Sequence, residues 1–201
     1  MTVRGAATRA RIVAVAADLV YVQGVAGTSL DDVMAASHTS KSQLYHYFAD
    51  KEALVNEVIA LQTQRVLAAQ EPYLGTLDSF EGLCRWRDAM VETNRATGGI
   101  GGCPIGSLAS ELAEQSEHAR VLLAHSLQAW EAYLVGGLRL MLDRGELSAD
   151  ADPQDLATAI MTALQGGLLL AQTLRSSRPL ELALDMAVDH VARVRASEPH
   201  E

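Results

Sequence analysis

Apolar residues recur at helical spacing along most of the chain, and polar capping residues punctuate the pattern. From Thr8 to Gln23, Ile12, Val13, Ala16, Leu19 and Val20 share one face of a helix of about four turns, and Gly24 closes it as a C-terminal glycine does. "TSLDDV" opens a second helix: Ser29 caps it, Asp31 and Asp32 occupy its positive first turn, and Leu30, Val33 and Met34 face inward. That helix ends near Ser37. After the joint Ser37-His38-Thr39, Ser40 caps a third helix through Phe48, with Leu44 and Phe48 at i, i+4 on one face. Asp50 caps a fourth, which Leu54, Val55, Val58, Ile59, Leu61 and Val66 carry toward Gln70.

Beyond Gln70 the helical pattern continues. One helix runs from about Ser79 to Ala96, followed by "TGGIGGCPIGS", whose glycines and proline predict a non-helical and flexible break. Ser116 to Arg144 reads as a single long helix, and its Gly136-Gly137 pair implies a neighbour packed closely there. The last two helices open with Asp152-Pro153 and at Pro179, and both are apolar over wide faces. Leu156, Ile160, Leu164, Leu168 and Ala171 line one, and Leu180, Leu184, Ala187, Val191 and Val194 line the other. Such width exceeds one buried face, and two central helices of a monomer would account for it; the family resemblance given below implies instead two-fold dimerisation through a four-helix bundle, with these ten residues as the interface.

Composition agrees with an all-α fold: 49% of residues are hydrophobic but only 4% aromatic, so Ala, Leu and Val supply the apolar surface. Cys84 and Cys103 form no CxxC pair and follow no secretory signal, as expected of reduced thiols in a cytoplasmic protein. The most apolar segment, Ala159 to Leu174, carries Thr162, Gln165, Gln172 and Thr173 and is shorter than the ~20 residues of a span, so no membrane partner is expected. Net charge is −9, yet residues 1–51 carry +1 and the remaining 150 carry −10. An acidic body repels phosphates, which confines any nucleic-acid contact to the near-neutral head.

A short helix, a tight joint and a second short helix within about 20 residues is the helix-turn-helix pattern. It explains the distribution of lysine. The chain has only two, Lys41 and Lys51, against fourteen arginines, and each directly follows a capping residue. A cation in the first turn of a helix costs about 0.3–1 kcal/mol against the dipole, a sign that a bound phosphate or base edge would reverse. Exposed lysines on a solvated face are the bland alternative.

"GVAGTSLDDVMAASHTSKSQLYHYFADKEAL", Gly24 to Leu54, resembles the DNA-binding domain of the TetR family of bacterial repressors: a Thr-Ser start, an Ala-rich second helix, then Ser-Lys, Leu-Tyr-x-Tyr-Phe and Lys-Glu-x-Leu. The resemblance covers about 45 residues and implies an N-terminal three-helix head, residues 1–51, and a C-terminal helical ligand-binding and dimerisation domain, 52–201, joined by helix 52–70 acting as a lever. It implies phosphate contacts for Thr28, Tyr47 and Lys51, and a recognition helix bearing Lys41, Ser42, Gln43, Tyr45 and His46 behind the cap Ser40. Gln43 could pair bidentately with adenine and Lys41 with guanine, each contributing ~1–3 kcal/mol of discrimination; Tyr45 could instead pack on the first helix. In the joint this chain has His38-Thr39 where the family places Gly-Val, and His is among the residues more tolerant of positive φ. "GCPIGSLASELA" further resembles the branch that includes lincomycin-resistance and flavonoid-responsive repressors.

The implied partners are a double-stranded DNA operator, a second copy of the chain and a small effector, with no cofactor and no metal. Trp86, Met90, Cys103, Leu108, Trp130, Tyr133, Met141, Met161, Gln165 and Leu168 are the candidate effector contacts, and few charges lie among them, which favours a largely apolar, aromatic-sized ligand. Two other readings compete. Glu111, Glu114, His118 and His125 could hold a metal if one unbroken helix carried them, although Gln115-Ser116 interrupts it and no HExxH, P-loop or nucleophile elbow occurs. A helical interaction protein without DNA affinity is the third, opposed by the retention of Thr28, Lys41, Gln43, Tyr47 and Lys51.

Overall fold

The computed structural model describes residues 2–196, and among them the chain forms nine α-helices and no strand beyond a single bridge between Leu147 and Arg195. They are α1 (Val3–Gly27), α2 (Leu30–Ser37), α3 (Lys41–Tyr47), α4 (Lys51–Leu74), α5 (Phe80–Ala96), α6 (Pro104–Leu112), α7 (Glu117–Asp143), α8 (Pro153–Leu174) and α9 (Arg178–Arg193). Two compact units result. The first gathers the chain up to Val66 with Pro104–Ser126, and the second gathers Leu67–Cys103 with the chain from Leu127 onward.

The first unit therefore reaches past the boundary expected at residue 51 and recruits a distant segment. Ile12, Val13, Ala16, Ala17 and Val20 of α1 are buried with Val33 of α2, Leu44 of α3 and Leu54, Val58 and Ile59 of α4. From the distant segment come Ile105, Leu108, Leu112, Ala119 and Leu123, all buried. Thr63 donates to the Ser126 hydroxyl oxygen at 2.8 Å, so a polar contact as well as apolar ones ties the segment in, while Gln62 donates to the Ala17 carbonyl at 3.0 Å and links α4 to α1.

α6 is a helix that the sequence reading missed. Pro104 stands in its first turn, where a fixed φ suits the helix and the missing N–H costs nothing, and Ile105, Leu108 and Leu112 then face inward. The glycines before it serve close approach: a Cβ on Gly99 would lie 2.7 Å from the Ala171 carbonyl oxygen. "TGGIGGCPIGS" is thus neither wholly non-helical nor merely flexible. α7, by contrast, follows expectation, and the close neighbour is real at Gly137, where a Cβ would fall 1.9 Å from the Leu77 carbonyl oxygen; Gly136 is exposed and meets nothing.

In the second unit α8 and α9 pack as a pair, and their inward stripes correct the expected dimer face. Leu156, Ile160, Leu164 and Ala171 of α8, and Leu180, Leu184, Ala187 and Val191 of α9, are buried by the chain itself, with Leu168 and Val194 half-buried. Both helices carry a second apolar stripe that faces out: Leu169 is 61% exposed, Leu170 51%, Leu174 62%, Leu182 45% and Met186 72%. The membrane reading needs a correction of reason, since α8 has 22 residues and α1 has 25, both long and apolar enough to cross a bilayer by length and composition. Each buries one stripe in its own unit.

Candidate nucleic-acid interface

α2 and α3 are short because each is capped at its start and cut at its end. Ser29 and Asp32 form a capping box: the Asp32 N–H donates to Ser29 Oγ at 3.1 Å, and the Asp32 carboxylate accepts from the Ser29 hydroxyl at 2.6 Å and N–H at 2.9 Å. The Ser29 hydroxyl, then the Ser29 N–H, hold the Asp32 carboxyl below the usual carboxylate range. α2 ends in a left-handed residue, His38, at φ 52°, ψ 46°. The Thr39 N–H returns to the Met34 carbonyl and the His38 N–H to the Ala35 carbonyl, a Schellman closure in which His takes the place that glycine usually fills. Arg11 of α1 donates to the Ser37 carbonyl at 3.1 Å, and the buried Ser37 and Thr39 hydroxyls share a hydrogen bond of 2.7 Å.

α3 repeats the design. Ser40 Oγ accepts from the Gln43 N–H at 3.2 Å, while Gln43 Oε1 accepts from the Ser40 N–H at 2.9 Å. Leu44, fully buried, and Phe48, 2% exposed, anchor one face of the segment, and Arg9 lies 5.4 Å over the Phe48 ring. The opposite face presents Ser40, Lys41, Ser42, Gln43, Tyr45 and His46 to solvent. Tyr45 is 47% exposed with the Lys41 ammonium 5.9 Å above its ring, so it does not pack on α1. Tyr47 is half-buried and meets His46 edge-on at 4.9 Å.

Two expected phosphate contacts are placed differently. Thr28 is 3% exposed, and its hydroxyl donates to the Gly24 carbonyl at 2.7 Å and accepts from Gln23 Nε2 at 3.4 Å. Lys51 is half-buried, and its ammonium donates to the Val25 carbonyl at 2.6 Å. The cause is a break in α1: Gly24, at φ 77°, interrupts the helix and strands the carbonyls of its last turn. The fold itself therefore employs Lys51 at the backbone, whereas Lys41 is exposed on α3 with its ammonium over the Tyr45 ring. Asp50 caps α4 as expected, accepting from the Ala53 N–H at 2.8 Å.

A residue assigned elsewhere by sequence completes this hinge. Glu111 of α6 accepts from the Val25 N–H at 2.8 Å and from the Ala26 N–H at 2.6 Å. No local signal announces it, since its partners are backbone amides 86 and 85 positions away. The alternative metal site loses both its premises: Glu111 is engaged, and α6 ends at Leu112 before α7 starts at Glu117, so Glu111, Glu114, His118 and His125 share no continuous helix.

The candidate effector contacts divide between the units. Leu108, 3% exposed, belongs to the core of the first. In the second unit Trp86, Met141 and Met161 are buried, Met90, Gln165 and Leu168 are half-buried, and Cys103 is 7% exposed. Trp86 Nε1 donates to Gln70 Oε1 at 3.0 Å, but Trp130 Nε1, Gln165 Nε2 and Asn94 Oδ1 are buried with no hydrogen-bond partner among the described residues. Tyr133 is 45% exposed and points away from that interior.

Two capped short helices on a three-helix support, with a polar face on the second, define a helix-turn-helix protein of the DNA-reading type. Residues 12–58 match the model described as "Bacterial regulatory proteins, tetR family", and residues 78–187 match the tetracyclin repressor-like C-terminal domain. The chain is 30% identical over 185 residues to the uncharacterized HTH-type transcriptional regulator YxaF of Bacillus subtilis, covering 90% of this chain and 93% of that protein. It is 28% identical over 178 residues to LmrA, an HTH-type transcriptional regulator of the same organism, covering 86% and 90%. A TetR transcriptional regulator from Chloroflexus aurantiacus superposes with a TM-score of 0.82 at 26% identity, covering 98% of this chain and all of that one. The protein belongs to the TetR family of helix-turn-helix transcriptional regulators.

Proposed function

We propose that this regulator is a homodimeric repressor that reads a palindromic operator with α3 and is released by a small, largely apolar effector held in the interior of the second unit. The observation that carries the reading is the division of α3: Leu44 buried on one side, and Lys41, Ser42, Gln43, Tyr45 and His46 free on the other. Gln43 can offer its amide nitrogen to a base while its oxygen keeps the cap, and Lys41 can donate to guanine O6 and N7. Thr28 and Lys51 contribute by fixing the backbone rather than as free phosphate contacts, whereas Tyr47 stays available. The exposed stripe of Leu169, Leu170, Leu174, Leu182 and Met186 supports a second copy as partner, which would bring two heads onto half-sites a helical turn or a multiple apart. The action is cytoplasmic, where the operator is.

For the effector, the unpartnered Trp130 and Gln165 N–H groups and the Asn94 oxygen support a ligand that is apolar and aromatic in body but bears hydrogen-bond acceptors and a donor. Such a ligand acts only if it prefers the conformation in which the heads no longer fit the operator. The test selects genomic fragments with the purified protein, then screens aromatic compounds bearing carbonyl or hydroxyl groups for release. Gln165→Leu should raise the concentration needed for release about tenfold while leaving operator affinity unchanged. Equal sensitivity of the variant and the parent to every releasing compound would place the effector elsewhere.

A further inference from the structure

Near the end of α1 the chain turns at Gly24, and the amides just past the turn are stranded as at any helix start. Glu111 takes both of them, Val25 N–H on Oε2 and Ala26 N–H on Oε1. The neighbouring carbonyls are taken from the other side, Gly24 by the Thr28 hydroxyl and Val25 by the Lys51 ammonium. The fit leaves no slack: a Cβ on Gly24 would stand 3.2 Å from Glu111 Oε2, and its φ of 77° already disfavours any side chain.

We infer that Glu111 is a positioning residue for DNA reading, which fixes the direction in which the chain leaves α1 and so the orientation of the α2–α3 pair. The inference rests on the DNA-reading function proposed above. Thr28 and Lys51 lie within the head's own sequence, but the amide side of the hinge is held by a carboxylate from α6, about 85 residues further along. Two hydrogen bonds from one charged group to two adjacent amides define a direction as well as an anchor. Loss of the carboxylate frees the hinge to several exit angles, of which one suits the major groove.

Generic electrostatics makes the opposite prediction, which gives the test its edge. Removing a negative charge near phosphates should tighten DNA binding, whereas loosening the hinge should weaken the operator complex. Full-length Glu111→Gln and Glu111→Ala are compared with Glu114→Gln, which deletes the same charge three residues on, for affinity to operator and to unrelated DNA. Glu111→Gln, which keeps one acceptor, should weaken operator binding about tenfold and Glu111→Ala more, with unrelated DNA bound as well as before and Glu114→Gln unchanged or slightly tighter. Hydrogen exchange at Val25 and Ala26 should accelerate in both Glu111 variants, while Ile12 to Val20 stay protected. If the alanine variant fails to fold, the glutamine variant decides. Operator affinity of Glu111→Gln equal to the parent's, or matching that of Glu114→Gln, would overturn the inference. A parent protein that does not select an operator at all would overturn the DNA-reading function itself, and the positioning role with it.

Discussion

The α2–α3 pair and the α8–α9 pair are both built from two adjacent helices, yet they follow from the sequence to different depths. In α2–α3 the determinants are local. Ser29 with Asp32 and Ser40 with Gln43 close capping boxes over three residues, and α2 closes at His38, whose N–H returns to the Ala35 carbonyl while the Thr39 N–H returns to the Met34 carbonyl. Chemistry at that range is visible in a string of letters, so starts, ends and the outward face of α3 could all be read. In α8–α9 the starts were equally plain, with Asp152 capping and Pro153 and Pro179 in the first turns. The faces were not. Each helix bears two apolar stripes, and periodicity cannot tell the stripe that meets a neighbour in the same chain from the one left exposed.

The comparison breaks most sharply in the tail. Leu164→Ala, at a position with no exposure, should cost about 2–5 kcal/mol of folding stability in chemical denaturation and leave a cavity. Leu170→Lys combined with Met186→Glu, on the outer stripe, should leave secondary structure intact while sedimentation shifts from dimer toward monomer. If Leu164→Ala dissociated the dimer without lowering monomer stability, the two stripes would be the wrong way round.

In the head the expected effects are smaller and local. Ser40→Ala removes an oxygen that accepts the Gln43 N–H, at a cost of about 1 kcal/mol by denaturation. His38→Gly relieves a left-handed residue and should stabilise by about 0.5–1 kcal/mol; destabilisation would mean that the imidazole makes a contact worth more than the strain. The smallest effect concerns acid. Asp32's carboxyl titrates below the usual carboxylate range in the folded chain, so its contribution is present above the unfolded value and is lost as pH falls through the folded one. Asp32→Asn should therefore narrow the stability difference from the parent below about pH 4, and a difference unchanged by acid would contradict the capping box.

The same contrast of range explains which parts of the site were legible. Lys41, Ser42, Gln43, Tyr45 and His46 were placed because a seven-residue helix anchored at Leu44 leaves little freedom in its outer face. The intramolecular bonds of Lys51 and Thr28 were not legible because the carbonyls they reach are exposed only by the Gly24 break, a tertiary fact. α6 was missed because Pro104 reads as a breaker when it opens a helix, and Glu111 because its partners belong to the backbone, whose letters say nothing of stranded amides. Tyr133 illustrates the converse: an aromatic residue among core residues of α7 that turns out to face solvent.

The central claim is that the outer face of α3 selects a DNA sequence. The most direct measurement is a mobility shift on the DNA beside the protein's own gene, at two salt concentrations and with unrelated DNA as competitor, for the parent chain and for Lys41→Ala and Gln43→Ala. The account predicts retention by the parent against competitor with a steep salt dependence, a lower salt slope for Lys41→Ala, and relaxed preference at one operator position for Gln43→Ala. Selective binding by the parent that neither substitution alters would contradict it, because DNA would then be read by some other surface.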